Sequence, residues 1–226
     1  MSRRISSFIV TCAALGLAVP AGAATFFSDK AAFLAATAAT QATTAYADHG
    51  ATHLSHLTSG SVTISEYDVA SYFFSGAWTT RLPGNDLAIT GKENLNVALA
   101  APVRALGFDF VEPQHDPNVN GVFQDSTFTV TFLNGTTAVD SFTFNAPNDV
   151  ATFVGASSAW AFDRVQIRET IGGAENEFFG QFYTSAQLPA GAVPEPASWA
   201  LMLGGFGLVG SALRSSRKQA SAVSFG

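Results

Sequence analysis

The chain has 226 residues, of which 47% are hydrophobic and 12% charged, and a formal net charge of −6. All 17 acidic residues lie between Ala24 and Pro196 against six basic ones, a formal charge of −11 for that span. Nucleic-acid binding needs basic patches that displace phosphate counterions, so this balance excludes that class. With Cys12 as the one cysteine, neither a disulfide framework within the chain nor a cysteine metal site is available.

Residues 1–24 read as a secretory signal peptide. Arg3 and Arg4 form its positive region, and Ile5 to Val19 form an apolar region too short for a comfortable membrane span. "AVPAGAA" breaks the helix at Pro20 and offers small residues for cleavage after Ala23 or Ala24. The mature chain is therefore expected outside the cytoplasm, delivered through the Sec translocon.

A β-sandwich domain is expected over residues 25–188. "FSDKAAFLAATAAT" predicts a short helix, with Ser28 as N-cap candidate and Asp29 complementing the first turn. After Gly60 the period changes to two. "SVTISEY" sets Val62 and Ile64 against polar neighbours, "NLNVALA" follows, and "VRALGFDF" puts Leu106, Phe108 and Phe110 on one face. In "STFTVTFLNGTTAVDSFTFN", Phe128, Val130 and Phe132 alternate with threonines, Asn134-Gly135 marks a two-residue hairpin turn, and the phase slip at Val139 predicts a bulge. "AFDRVQIRE" and "FFGQFYTS" complete seven to ten short strands. The expected fold is mainly β: a single antiparallel sandwich, jelly-roll-like, with a short N-terminal helix, flanked by a signal-peptide helix and a C-terminal transmembrane helix.

Three clusters in this domain bear on chemistry. Asp48, His49, His53 and His56 form D-H-x3-H-x2-H, which on a helix would present imidazoles to a transition metal, or else belongs to a polar surface loop. Glu175, Asn176 and Glu177 precede the last strand, and such an oxygen-rich loop either holds Ca²⁺ or is a solvated acidic turn. Asp109 and Glu112 are the nearest approach to a catalytic carboxylate pair. No nucleophile elbow, phosphate loop or H-E-x-x-H is present, so no catalytic residue is assigned and an enzyme is not expected. Tyr72, Trp78 and Trp160 are candidates for stacking on sugars, or for filling the core.

The C-terminus has its own logic. Residues 189–196 form a proline-containing linker, Ala197–Leu213 are 17 residues without a charge, and 214–226 form a basic tail. As a helix the apolar run is about 25 Å long, just under the hydrocarbon core. Trp199 suits one interface, and Arg214, Arg217 and Lys218 suit the cytoplasmic side. Pro194 and Pro196 hold Glu195 in an extended backbone that a protease can grip.

Pro194, Glu195 and Pro196, followed by Trp199, an apolar glycine-rich segment and the basic cluster, resemble a PEP-CTERM sorting signal. That resemblance implies processing by an exosortase, a membrane transpeptidase-like enzyme of exopolysaccharide-producing Gram-negative bacteria. "FFSDKAAFLAAT", "APVRALGFDF", "SSAWAFDRVQI" and "NEFFGQFYTS" are similar to ectodomains that accompany such signals, which resemble carbohydrate-binding modules in fold alone. The implied protein passes through the inner membrane by its C-terminal helix and reaches the cell surface or an extracellular matrix. It is a matrix or exopolysaccharide-associated protein, a structural or adhesive one, or a polysaccharide-acting enzyme.

Overall fold

The computed structural model describes residues 24–67, 71–91, 93–113, 125–171 and 177–187. In chain order the elements are β1 (Thr25–Phe27), α1 (Lys30–Thr37), β2 (Thr40–Gln41), β3 (His56–Ser59), β4 (Val62–Glu66), β5 (Ser71–Gly76), β6 (Asp86–Gly91), β7 (Leu95–Val111), β8 (Thr127–Asn134), β9 (Thr137–Phe144), β10 (Thr152–Ile171) and β11 (Phe178–Ser185). The signal-peptide and C-terminal helices expected from sequence lie outside the described residues.

The strands pair antiparallel in one hydrogen-bonded path, β5-β6-β11-β7-β10-β8-β9. Two long strands turn that path into two layers, the first built on the N-terminal half of β7 with β4, β8 and β9, the second on its C-terminal half with β1, β11 and β6. The first half of β7 (Leu95–Leu99) pairs β4, and its second half (Ala105–Val111) pairs β11. β10 does the converse, pairing β1 through Gly155–Ser157 and β8 from Arg164 onward. Register shifts between Ser157, Phe162 and Arg164 mark where the pair bends from one layer to the other. Pro102 falls in this irregular stretch, where a missing N–H costs no ladder bond. The two strands expected around Pro102 are therefore one strand of 17 residues.

The layers close on a phenylalanine core. Phe110 of one layer meets Phe128 of the other at 5.5 Å and Phe144 at 5.4 Å, edge to face. Phe132 and Phe162 stack at 4.0 Å. Among the described residues nine phenylalanines are fully buried, eight in this core and Phe33 under α1, each contributing roughly 1.5–3 kcal/mol of apolar burial. That load explains how the domain reaches a core without a disulfide.

Helix α1 packs on the outer face of the second layer. Its N-cap is Asp29, not Ser28: the Asp29 backbone is extended and its Oδ1 accepts from Ala32 N at 2.7 Å. Phe33 is its buried anchor, 5.2 Å from Phe153. A slot for these rings comes from Gly107 and Gly155, which face each other across β7 and β10. A Cβ on Gly107 would stand 2.4 Å from Phe153 Cζ, and one on Gly155 2.9 Å from Phe33 Cδ2.

The β8–β9 hairpin forms as expected, one residue further on. Asn134 pairs with Thr137, so the two-residue turn is Gly135-Thr136, with Gly135 at φ +60. Glycine first, with positive φ, is the pattern of a II′ turn. The ladder slips between Phe132 and Leu133, leaving Val139 as the bulge.

Candidate functional site

The outward side of the first layer carries a groove of about 410 Å³. Its side chains follow from the period of two. Val62, Ile64, Leu95, Val97, Val130, Phe132, Val165 and Ile167 all enter the core. The residues between them must face outward. Register then aligns Ser65 with Asn96, Asn96 with Gln166, and Gln166 with Thr131, a polar row across four strands. The neighbouring row runs Thr63, Ala98, Arg164, Leu133. Gly135 and Thr136 of the hairpin turn close one side of the groove.

Asn96 is held in place. Arg168 Nη2 donates to Asn96 Oδ1 at 2.6 Å, and Asn96 Nδ2 donates to Glu66 O at 3.0 Å, so the amide is fixed at both ends. The Arg168 Nη1 also donates to Leu95 O at 2.6 Å, and its guanidinium lies 3.5 Å over the Tyr67 ring. Tyr67 remains 50% exposed. The groove itself is lined by an amide (Asn96), a glutamine (Gln166), a guanidinium (Arg164) and hydroxyls (Ser65, Thr136), groups that can hydrogen-bond a chain of hydroxyls, while Arg168 and Tyr67 back Asn96 from beside it.

None of these groove residues was singled out from sequence. "NLNVALA" and "RVQIR" do show polar residues at alternate positions, but only register places Asn96 beside Gln166.

The residues that were singled out lie elsewhere. His49 and His53 stand in a loop and His56 in β3. The helix that would have brought them together does not form, because Gly50 takes φ +56 and opens the chain. His49 Nδ1 is 3.1 Å from Ala47 O, and the His53 ring packs on Phe74 at 5.0 Å. Among the described residues no three His, Cys, Asp or Glu side chains converge as metal ligands do. Glu175 and Asn176 lie outside the described residues. Glu177 is fully buried beside Glu93 and Ser126. Burial pushes its carboxyl up to about 8, opposed by the Glu93 and Ser126 side chains and helped by Glu169.

Asp109 and Glu112 are no carboxylate pair. Asp109 binds Lys30 and Tyr183, whereas Glu112 accepts from Ser126 N at 2.7 Å. Trp78 (41% exposed) packs on Phe74 at 5.5 Å, and Trp160 (39%) stands on β10; neither lines the groove. The side chain of Tyr72 is outside the described set. So are Ala23 and the sorting residues Pro194, Glu195, Pro196, Trp199, Arg214, Arg217 and Lys218. Ala24 is the first described residue.

No curated protein matches the chain. Among solved structures it is similar to a xylan-binding domain of carbohydrate-binding module family 22 (13% identity, TM-score 0.38, 64% of this chain and 99% of that one). It is likewise similar to the C-terminal family 22 module of Clostridium thermocellum Xyn10B (12%, 0.37, 66% and 99%) and to a family 29 module (11%, 0.36, 70% and 96%). Scores of this size place no ligand on this chain. Residues 192–218 match the family model described as the PEP-CTERM protein-sorting motif. The chain is thus an antiparallel β-sandwich followed by a PEP-CTERM protein-sorting motif.

Proposed function

We propose that this is an exported, non-enzymatic protein whose β-sandwich binds polysaccharide in the groove of its first layer. The carrying observation is the aligned row Ser65, Asn96, Gln166 and Thr131, with Arg164 beside it and Arg168 holding the Asn96 amide. Such a trough suits an extended glycan better than a compact metabolite, because the polar groups repeat across strands about 4.8 Å apart and a chain can meet several in turn. In this reading the C-terminal motif serves delivery. The apolar segment holds the protein in the inner membrane, an exosortase-type enzyme recognises the Pro194-Glu195-Pro196 stretch, and the β-domain is released to the cell surface or matrix.

The test is a glycan array, followed by affinity electrophoresis in gels containing the soluble polysaccharides that score. Wild-type protein is expected to be retarded. Gln166→Ala and Arg164→Ala are each expected to weaken retardation about tenfold, the loss of one hydrogen bond to a fixed polar or charged group. Binding unchanged in both variants moves the site elsewhere, for instance to Trp78. No retention by any glycan leaves a structural or adhesive role.

A further inference from the structure

Asp140 is one of several buried carboxylates, with Asp86, Glu93, Glu112 and Glu177, and it is set apart by its backbone donor just ahead of β1. It lies on β9 opposite Phe132, only 7% exposed, and its Oδ2 is buried with no donor in hydrogen-bonding geometry. Its Oδ1 accepts from Ser141 N at 2.9 Å and from Ala24 N at 2.8 Å. Burial raises its pKa, and the groups that oppose this, Ser158, Ser141 and Ala24, are all uncharged. A buried carboxylate without a counter-charge is costly.

The contact from Ala24 bears on that cost. Ala24 packs against the main core and leads directly into β1, whose register on β10 (Thr25 with Ser157, Phe26 with Ala156) fixes where its nitrogen sits. Within an unbroken chain that nitrogen is an amide with one N–H. As a chain terminus it would be an ammonium with three N–H donors and a positive charge, at the same 2.8 Å from the carboxylate. Ala21-Gly22-Ala23 also has the small-x-small form that leader cleavage needs.

We propose that the chain is cut between Ala23 and Ala24, and that the new α-ammonium of Ala24 is the counter-charge of Asp140, clamping β1 to the sandwich once the leader is gone. The step is a hydrolysis by a leader peptidase. Water adds across the Ala23–Ala24 bond, Ala23 leaves with a carboxylate, and the Ala24 nitrogen takes up protons to become –NH₃⁺. Cleavage one residue later would discard the donor, so the geometry decides between two sites that the sequence leaves equal. The inference rests on reading the N-terminal segment up to Ala23 as an export signal.

The full chain, expressed with its own leader in a Gram-negative host, provides the test. Sequencing of the exported protein's N-terminus is expected to read Ala-Thr-Phe-Phe. A start at Thr25 overturns the proposal and leaves the export reading intact, whereas an uncut chain removes both. The second measurement is acetylation of the α-amine by an N-hydroxysuccinimide ester, followed on the N-terminal peptide by mass spectrometry. A carboxylate this close holds more of the amine protonated, so acetylation of native protein is expected to be about tenfold slower than in urea. Asp140→Asn is expected to abolish most of that protection. Equal rates in native and unfolded wild type overturn the proposal whether or not the variant folds.

Discussion

The Lys30 ammonium lies 3.0 Å from each carboxylate oxygen of Asp109, 79 residues further along the chain. Tyr183 completes the group: its hydroxyl donates to Asp109 Oδ2 at 3.1 Å, and the ammonium sits 4.1 Å from its ring centre. Burial pulls the Lys30 pKa down, but the hydrogen bonds to Tyr183 and Asp109 outweigh it and hold it above its usual value. The contact pins α1 across β7 and β11. Because the Lys30 side chain is 38% exposed, Lys30→Met is expected to cost only about 0.5–1 kcal/mol in a denaturant melt. A loss several times larger would mean that α1 detaches altogether.

Gly107→Ala should be far worse than a surface glycine change. The new methyl would stand 2.4 Å from Phe153 Cζ, inside a packed slot, and a cost of about 1–3 kcal/mol is expected. In a Phe153→Leu background much of that cost should vanish. Additive effects in the double variant would show that the ring is not what the methyl meets.

Gly135→Val isolates backbone strain. No atom lies within 4 Å of a Cβ built there, yet φ is +60. The variant is expected to lose about 1 kcal/mol or more through conformation alone. An unchanged Tm would mean that the turn relaxes to another type.

Asp86 gives a pH signature. It is buried at the start of β6, and Thr79 N donates to its Oδ2 at 3.0 Å. Burial pushes its carboxyl from 3.8 up to about 6, against the pull of backbone donors from Thr79 and Trp78. A raised carboxyl binds its proton more tightly when folded, so the stability it lends is complete below about 3.8 and is lost as pH rises through about 6. Asp86→Asn cannot lose a proton. Its Tm relative to wild type is therefore expected to climb between pH 4 and pH 7, by the equivalent of roughly 2 kcal/mol. A difference that stays constant across that range would sink the assignment.

Replacing Pro194, Glu195 and Pro196 with alanine should leave the apolar segment able to insert and stop its processing. In a host that carries an exosortase, full-length protein is expected to accumulate in the inner membrane. The C-terminus of surface-extracted wild type, read by mass spectrometry, is the control. An intact tail through Gly226 on that material would mark an ordinary anchor.

Local pattern carried much of this fold. The alternation of Phe128, Val130 and Phe132, the hairpin and the Val139 bulge are decided within 20 residues, and they appear almost as read. What could not be read depends on partners distant in the chain. The bend that passes β7 and β10 between layers arises from pairing slips, which is why "NLNVALA" and "VRALGFDF" read as separate pieces of what is one strand. The groove was invisible for the same reason, since Asn96 and Gln166 are ordinary polar positions until register sets them side by side. The histidine spacing suited a helix, and the positive φ of Gly50 is what opens that stretch into a loop. The displaced turn and cap each moved by one residue, because Gly135 and Asp29 satisfy the local geometry better than Asn134 and Ser28.

The placement of β11 has a mechanical meaning. The chain leaves the sandwich from Ser185 toward the sorting signal, and β11 lies inside the sheet, bonded to β7 along one edge and to β6 and β2 along the other. A pull transmitted through the linker would load those ladders lengthwise, so that many hydrogen bonds must yield together. Were the exit on an edge strand such as β9, the same pull could peel them one at a time. If the domain is delivered as proposed, any tether through the sorting signal pulls on the strand that its own architecture grips from both sides.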